Sequence, residues 1–103
     1  MKKYLTGDLI MPPADQSIVF WGKLHNEAVT PTGDVLTDRN TFIIVLDEDP
    51  WIPLTWVVAP GKSFRNTATQ FFHVLVGTDN NFHNVWLSGV TLKEWETISL
   101  GRE

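Results

Sequence analysis

Three histidines are the residues of this chain best suited to bind a transition metal: His25, His73 and His83. Imidazole is the commonest metal ligand in proteins. His73 and His83 fall in two stretches that a hairpin would pair, although a register shift of one residue would move either side chain to the other face. The close spacing typical of metal-binding histidine pairs is absent. We therefore expect hydrogen-bonded or partly exposed histidines, and no metal or other cofactor.

The acidic run Asp47-Glu48-Asp49 is the second candidate for chemistry. A pair of carboxylates can act as general acid and general base, and Glu94 or Glu96 could supply the second member. The run also follows an apolar segment and precedes a proline, which is typical of a charged turn that ends a strand. It lacks the alternating ligands and the glycine of a calcium loop. A charged turn is the favoured interpretation.

Nucleophilic catalysis has no support in the sequence. The chain contains no cysteine. None of the serines at 17, 63, 88 and 99 lies in a Gly-x-Ser-x-Gly motif, and no glycine-rich phosphate loop precedes a helix. These observations favour a protein that is not an enzyme, although a catalytic site need not leave a local motif.

Aromatic residues are abundant for so short a chain, with five tryptophans and six phenylalanines in 103 residues. Such rings bury a large apolar area and are usual in cores, interfaces and ligand pockets. One hypothesis is therefore a small-molecule-binding β domain or simple enzyme with a tryptophan-lined pocket. Its candidate residues are Trp21, Trp56, Trp86 and Trp95, with His73 or His83 as a polar contact.

The leading hypothesis rests on the segment from residue 51 to 61, which is apolar and interrupted by prolines. A proline cannot donate a hydrogen bond to a sheet, so this segment should be an edge strand or begin as a strand only after Pro53. An apolar edge must be covered, either by the chain itself or by a partner. We expect a non-catalytic module that acts through protein contacts, as a homodimer or as a small accessory or inhibitor-like protein. The candidate interface residues are Trp51, Ile52, Leu54, Trp56 and Val58.

Charge argues against nucleic acid as the partner. The net charge is −4 and the sequence pI is about 5.2, whereas nucleic-acid binders normally carry a basic surface. The aromatic and basic residues at 56, 62, 64 and 65 could stack on single-stranded bases, but a basic groove should accompany them. No apolar run is long enough for a membrane span, and no secretion signal is recognisable, so we expect a soluble, cytoplasmic protein with no membrane partner.

These residues should be positioned by a mainly β fold. Residues 1–103 are expected to form a single domain, a small antiparallel barrel, sandwich or bent sheet of five to seven strands with a short C-terminal helix. Thr30–Gly33 has the composition of a turn, within a loop or small hairpin, and residues 62–66 look like a basic connection. The helix should begin near Thr91, with a strand over Val90–Ile98 as its alternative. Strands are expected over 3–11, 18–24, 41–46 and 67–76, and a helix over 63–76 is the alternative to the last of these. A hairpin should pair 70–76 with 82–88.

Overall fold

The computed structural model describes residues 4–24, 27–65, 69–79, 81–93, 95 and 97–98, and the strands of this part form one open, mixed β-sheet. In chain order the elements are β1 (Leu9–Ile10), β2 (Ser17–Lys23), β3 (Ala28–Leu36), β4 (Phe42–Val45), β5 (Thr55–Ala59), β6 (Lys62–Arg65), β7 (Phe71–Gly77), β8 (Phe82–Ser88), α1 (Gly89–Lys93) and β9 (Thr97–Ile98). Across the sheet the order is β6-β5-β3-β2-β8-β7-β4-β1-β9.

The mainly β class with one short helix is confirmed, but the expected number of five to seven strands is wrong. The described residues contain nine strands in a single sheet. The additional strands are short: β6 lies where a connection was expected, and β9 has only two residues. All neighbouring strands are antiparallel except β3 and β5, which run parallel.

β3 runs without a break through Thr30–Gly33 and pairs with β2, so the turn predicted there is wrong. Pro31 is the register partner of Trp21, next to a register shift in β2. A bulge is one of the few places in a sheet where a residue without an N–H fits. This proline therefore marks an irregular point in a strand. The connection between β2 and β3 lies between Lys23 and Ala28.

β5 and β6 form a hairpin at one edge of the sheet. β5 begins at Thr55, which confirms that a strand starts only after Pro53. The connection predicted over residues 62–66 is wrong, because β6 occupies Lys62–Arg65 and pairs antiparallel with β5. Pro60 and Gly61 form the turn, and Gly61 has a φ of 76°, as the third residue of a type II turn requires.

β7 and β8 form the predicted hairpin, and the strand interpretation is confirmed over residues 71–76. Their seven register pairs include His73 with Trp86 and Val76 with His83. The Thr78 N–H donates to the Asn81 carbonyl oxygen at 2.9 Å and closes the turn. Of the predicted strand over 67–76, residues 67–68 lie outside the described part, and residues 69–70 precede β7.

The hydrophobic core lies on one face of this sheet. Because side chains alternate along a strand, every second residue of β4, β7 and β8 contributes to it. The core residues are Tyr4, Ile10, Ile18, Phe20, Ile43, Val45, Phe72, Val74, Val76, Leu87, Leu92 and Trp95. Leu92 comes from α1, so the helix packs on this face.

α1 begins at Gly89, two residues before the predicted start at Thr91. The Val90 N–H donates to Ser88 Oγ at 3.2 Å, so Ser88 caps the N-terminus of the helix. The helix ends at Lys93, and β9 then pairs with β1. The sequence predicted either a helix or a strand for residues 90–98, and the structure has a short helix followed by a short strand there. In the described part of the chain, no helix has the length and apolar character to cross a membrane.

Candidate functional site

The face of the sheet opposite the core carries a second group of rings, which we call the aromatic face: Trp21, Trp51, Trp56, Phe71, His73 and Trp86. Trp86 is the register partner of Trp21 on one side and of His73 on the other. Directly paired residues point to the same side of a sheet. Trp51 joins the group through its backbone, which exchanges two hydrogen bonds of 2.8 and 2.9 Å with Phe71.

Trp21, Trp56 and Phe71 pack against one another at one side of the aromatic face. The centroids of the two indole rings are 5.5 Å apart. The Phe71 centroid lies 5.3 Å from that of Trp21 and 5.8 Å from that of Trp56. The contacts are tilted or edge-to-face, the arrangements that aromatic pairs prefer. Phe71 is fully buried beneath the indoles. Trp56 Nε1 is also buried, with no hydrogen-bond partner among the described residues.

Trp51 and Trp86 form a second pair, with centroids 5.7 Å apart and planes at 64°. The Lys23 ammonium lies 4.9 Å from the Trp51 ring centroid and 5.6 Å from that of Trp86. Both distances fall in the range of cation–π contacts. We call this arrangement the indole corner: two half-buried indole rings with a cation against both.

His73 stacks on Trp86, with centroids 5.1 Å apart and planes at 18°. His73 Nε2 is hydrogen-bonded to Asn84 Oδ1 across the β7–β8 ladder. The hydrogen bond and the stacking together hold the imidazole beside Trp86.

The structure brings together only part of the pocket predicted from the sequence. Trp21, Trp86 and His73 lie on the aromatic face, as does Trp56. His83 lies on the opposite face because it pairs with Val76, and its ring contacts Phe20 at 4.8 Å. Trp95 is a core residue. The predicted pocket is therefore divided by the sheet.

The same register separates the histidines considered as metal ligands. His73 and His83 lie on opposite faces, and His25 lies outside the described residues. Within the described ranges, no three histidine, aspartate or glutamate side chains come together as a metal site would require. In the acidic run, the Asp49 N–H donates to Asp47 Oδ1 at 3.0 Å, which is the local hydrogen bond of a turn. The proposed partners Glu94 and Glu96 are outside the described part.

The predicted interface residues divide into two groups. Trp51 and Trp56 are half-buried in the ring contacts above, so the chain itself covers much of their surface. Ile52, Leu54 and Val58 are exposed by 44, 44 and 38 %. Phe64, on the edge strand β6, is 55 % exposed.

Sequence reasoning missed Phe64 and Lys23 as members of these surfaces. Phe64 lay in a stretch interpreted as a connection, and the signal for its strand was the preceding Pro60-Gly61 turn. Lys23 follows Trp21 by two residues in a strand, which places both on one face. No sequence signal connected Lys23 to Trp51, because the contact depends on how the segment before β5 folds back.

No protein-family model matches this chain, and comparison with curated proteins and with solved structures gives no match.

Proposed function

We propose that this chain is a non-catalytic binding module that acts through protein contacts, and that its partner is a second copy of itself. The contact surface is the edge segment, residues 50–65, which contains the β5–β6 hairpin. The observation that carries the proposal is the concentration of exposed apolar side chains in this segment: Ile52, Leu54, Val58 and Phe64. Contiguous exposed apolar surface beside an edge strand is a usual mark of an interaction site.

Charge supports a second copy as the occupant. The edge segment contains Lys62 and Arg65 and no acidic residue. With a whole-chain charge of −4, its formal charge of +2 leaves −6 for the other residues. The surface is thus apolar and basic on an acidic protein. A further copy of this chain offers the acidic surface that such a segment attracts.

The acidic run at residues 47–49 lies immediately before the edge segment, and all three of its residues are exposed. In a two-fold dimer each contact occurs twice, because a residue i that touches j in the partner is matched by j touching i. The acidic run of each copy can then lie beside Lys62 of the other copy, which gives two equivalent charge pairs. The apolar side chains would cover one another between these charges.

Charge reversal with rescue tests this arrangement. Lys62→Glu should weaken the dimer roughly twofold to thirtyfold, for two symmetric surface pairs at about 0.2–1 kcal/mol each. Replacing Asp47, Glu48 and Asp49 by lysine in the same chain should restore the affinity measured by analytical ultracentrifugation. Lys93→Glu, at an exposed lysine on α1, is the matched control and should change nothing. Failure of the acidic-run reversal to restore Lys62→Glu contradicts the proposal.

The cytoplasmic location inferred from the sequence forms part of this proposal. The alternative function, a small-molecule-binding β domain, is favoured by one observation, the cation held against Trp51 and Trp86. It concerns the indole corner, which shares Trp51 with the edge segment but does not require self-association.

A further inference from the structure

The indole corner has the features of a site for an organic cation. Two indole faces are presented to the same point, and a positively charged group, the Lys23 ammonium, lies within 6 Å of both centroids. Indole is the aromatic side chain that attracts cations most strongly. Lys23 is exposed, so its side chain can leave the corner without opening the sheet.

We propose that the indole corner binds a quaternary ammonium group, and that Lys23 occupies the corner when no such ligand is present. A primary ammonium is compact and strongly hydrated, which makes its transfer to an aromatic surface costly. A quaternary ammonium has no N–H to hydrate and presents methyl groups to the rings. Aromatic recognition of this group is a recurring use of the cation–π contact.

The chain that leads into the corner is acidic. The acidic run begins next to β7, where the N–H groups of Leu46 and Asp47 donate to the His73 carbonyl at 2.9 and 3.4 Å. The ring of His73 stacks on Trp86, and Trp51 follows the acidic run by two residues. Three carboxylates therefore precede Trp51 in the sequence, and negative charge near a cation site acts more strongly at low ionic strength.

Lys23 is a tethered competitor. A group attached to the protein is present at an effective concentration in the millimolar range or above, so it weakens the apparent affinity of a free ligand. Removing it should strengthen binding. This outcome separates a ligand site from a purely structural contact, since loss of a structural contact gives the free cation no advantage.

The experiment is a titration with choline at constant ionic strength, followed by the NMR signals of the indole N–H groups. In the wild-type protein the signals of Trp51 and Trp86 should shift and saturate. Lys23→Ala should lower the apparent dissociation constant about twofold to thirtyfold, the range expected for one cation–π contact. Lys93→Ala is the control and should leave the constant unchanged.

The neutral isostere of choline, 3,3-dimethylbutan-1-ol, has the same shape without the charge and should not saturate the corner at the same concentrations. Trp86→Leu should abolish choline binding in a folded protein. The proposal is overturned if Lys23→Ala binds choline no more tightly than wild type, or if the neutral alcohol binds equally well. Neither comparison requires Trp86→Leu to fold.

Discussion

Trp21 and Trp86 are register partners, and in the described part of the chain theirs is the one backbone pair that joins β2 to β8. The sheet therefore consists of two parts, β6-β5-β3-β2 and β8-β7-β4-β1-β9, that meet at this point. Side chains reinforce the junction. Trp21 and Trp56 from the first part pack on Phe71 of the second, and Lys23 reaches Trp86. The aromatic face thus stabilises the junction while it presents the indole corner.

Hydrogen exchange should reveal this junction. In an antiparallel sheet a strand directs alternate N–H groups to its two neighbours. β8 pairs with β7 at seven positions but with β2 at one, so amide exchange measured by NMR should alternate along β8 between slow and fast residues. The part of β7 that is paired on both sides, Val74–Gly77, should show slow exchange throughout. Uniform protection along β8 would mean that the two parts of the sheet are joined by a full ladder.

Gly77→Ala should destabilise the protein by about 1–3 kcal/mol through overpacking. A Cβ at Gly77 would overlap the ring of Phe42, its register partner on β4. In a Phe42→Ala background the same substitution should cost much less, because the overlapping ring is gone. Urea unfolding of the four proteins measures this coupling. Equal costs of Gly77→Ala in both backgrounds would contradict the packing described.

Thr37→Val should lower the free energy of unfolding by about 1–3 kcal/mol, the cost of leaving buried polar groups without a partner. Thr37 is 2 % exposed. Its hydroxyl donates to the Pro13 carbonyl at 2.6 Å and accepts from the Gln16 N–H at 2.9 Å. Valine keeps the shape and removes both bonds, whereas the control Thr37→Ser keeps the hydroxyl. If urea denaturation gave the same free energy of unfolding for Thr37→Val and Thr37→Ser, these two hydrogen bonds would contribute nothing to stability.

Gly61→Ala should destabilise the edge hairpin by about 1–2 kcal/mol, since a left-handed backbone conformation disfavours a Cβ. Gly61 has a φ of 76°, and an added Cβ meets no atom within 4 Å, so the effect is one of backbone conformation alone. Gly61→Asn should cost less, because asparagine tolerates this conformation. Thermal unfolding compares the two variants. If the alanine variant were as stable as the wild-type protein, the type II turn at Pro60 and Gly61 would be contradicted.

Much of the fold could be predicted from local patterns. The alternation of Phe71, His73 and Leu75 with Phe72, Val74 and Val76 predicted β7 and both of its faces, and the polar turn after Gly77 predicted its pairing with β8. Turn composition misled at Thr30–Gly33, because proline and glycine fit a bulge as well as a turn. β6 was missed since its charged ends resemble a loop, although charges are usual on edge strands.

The candidate site was less predictable because it depends on register. A one-residue difference decides whether His83 faces His73 or the core, and the turn at residues 78–81 did not fix it in advance. Trp95 was predicted to line a pocket but packs in the core, and a tryptophan is usual in both places. Pairing between distant segments, such as Trp51 with Phe71, has no local signal at all.

The mass of the protein in solution tests self-association through the edge segment most directly. Light scattering over a range of concentrations should give about twice 11.7 kDa for the wild-type chain. Phe64→Ser should remain near 11.7 kDa, whereas Phe82→Ser, at a phenylalanine 71 % exposed on β8, should still dimerise. A wild-type chain that stays at 11.7 kDa at the highest concentration, or equal behaviour of the two variants, would contradict the account.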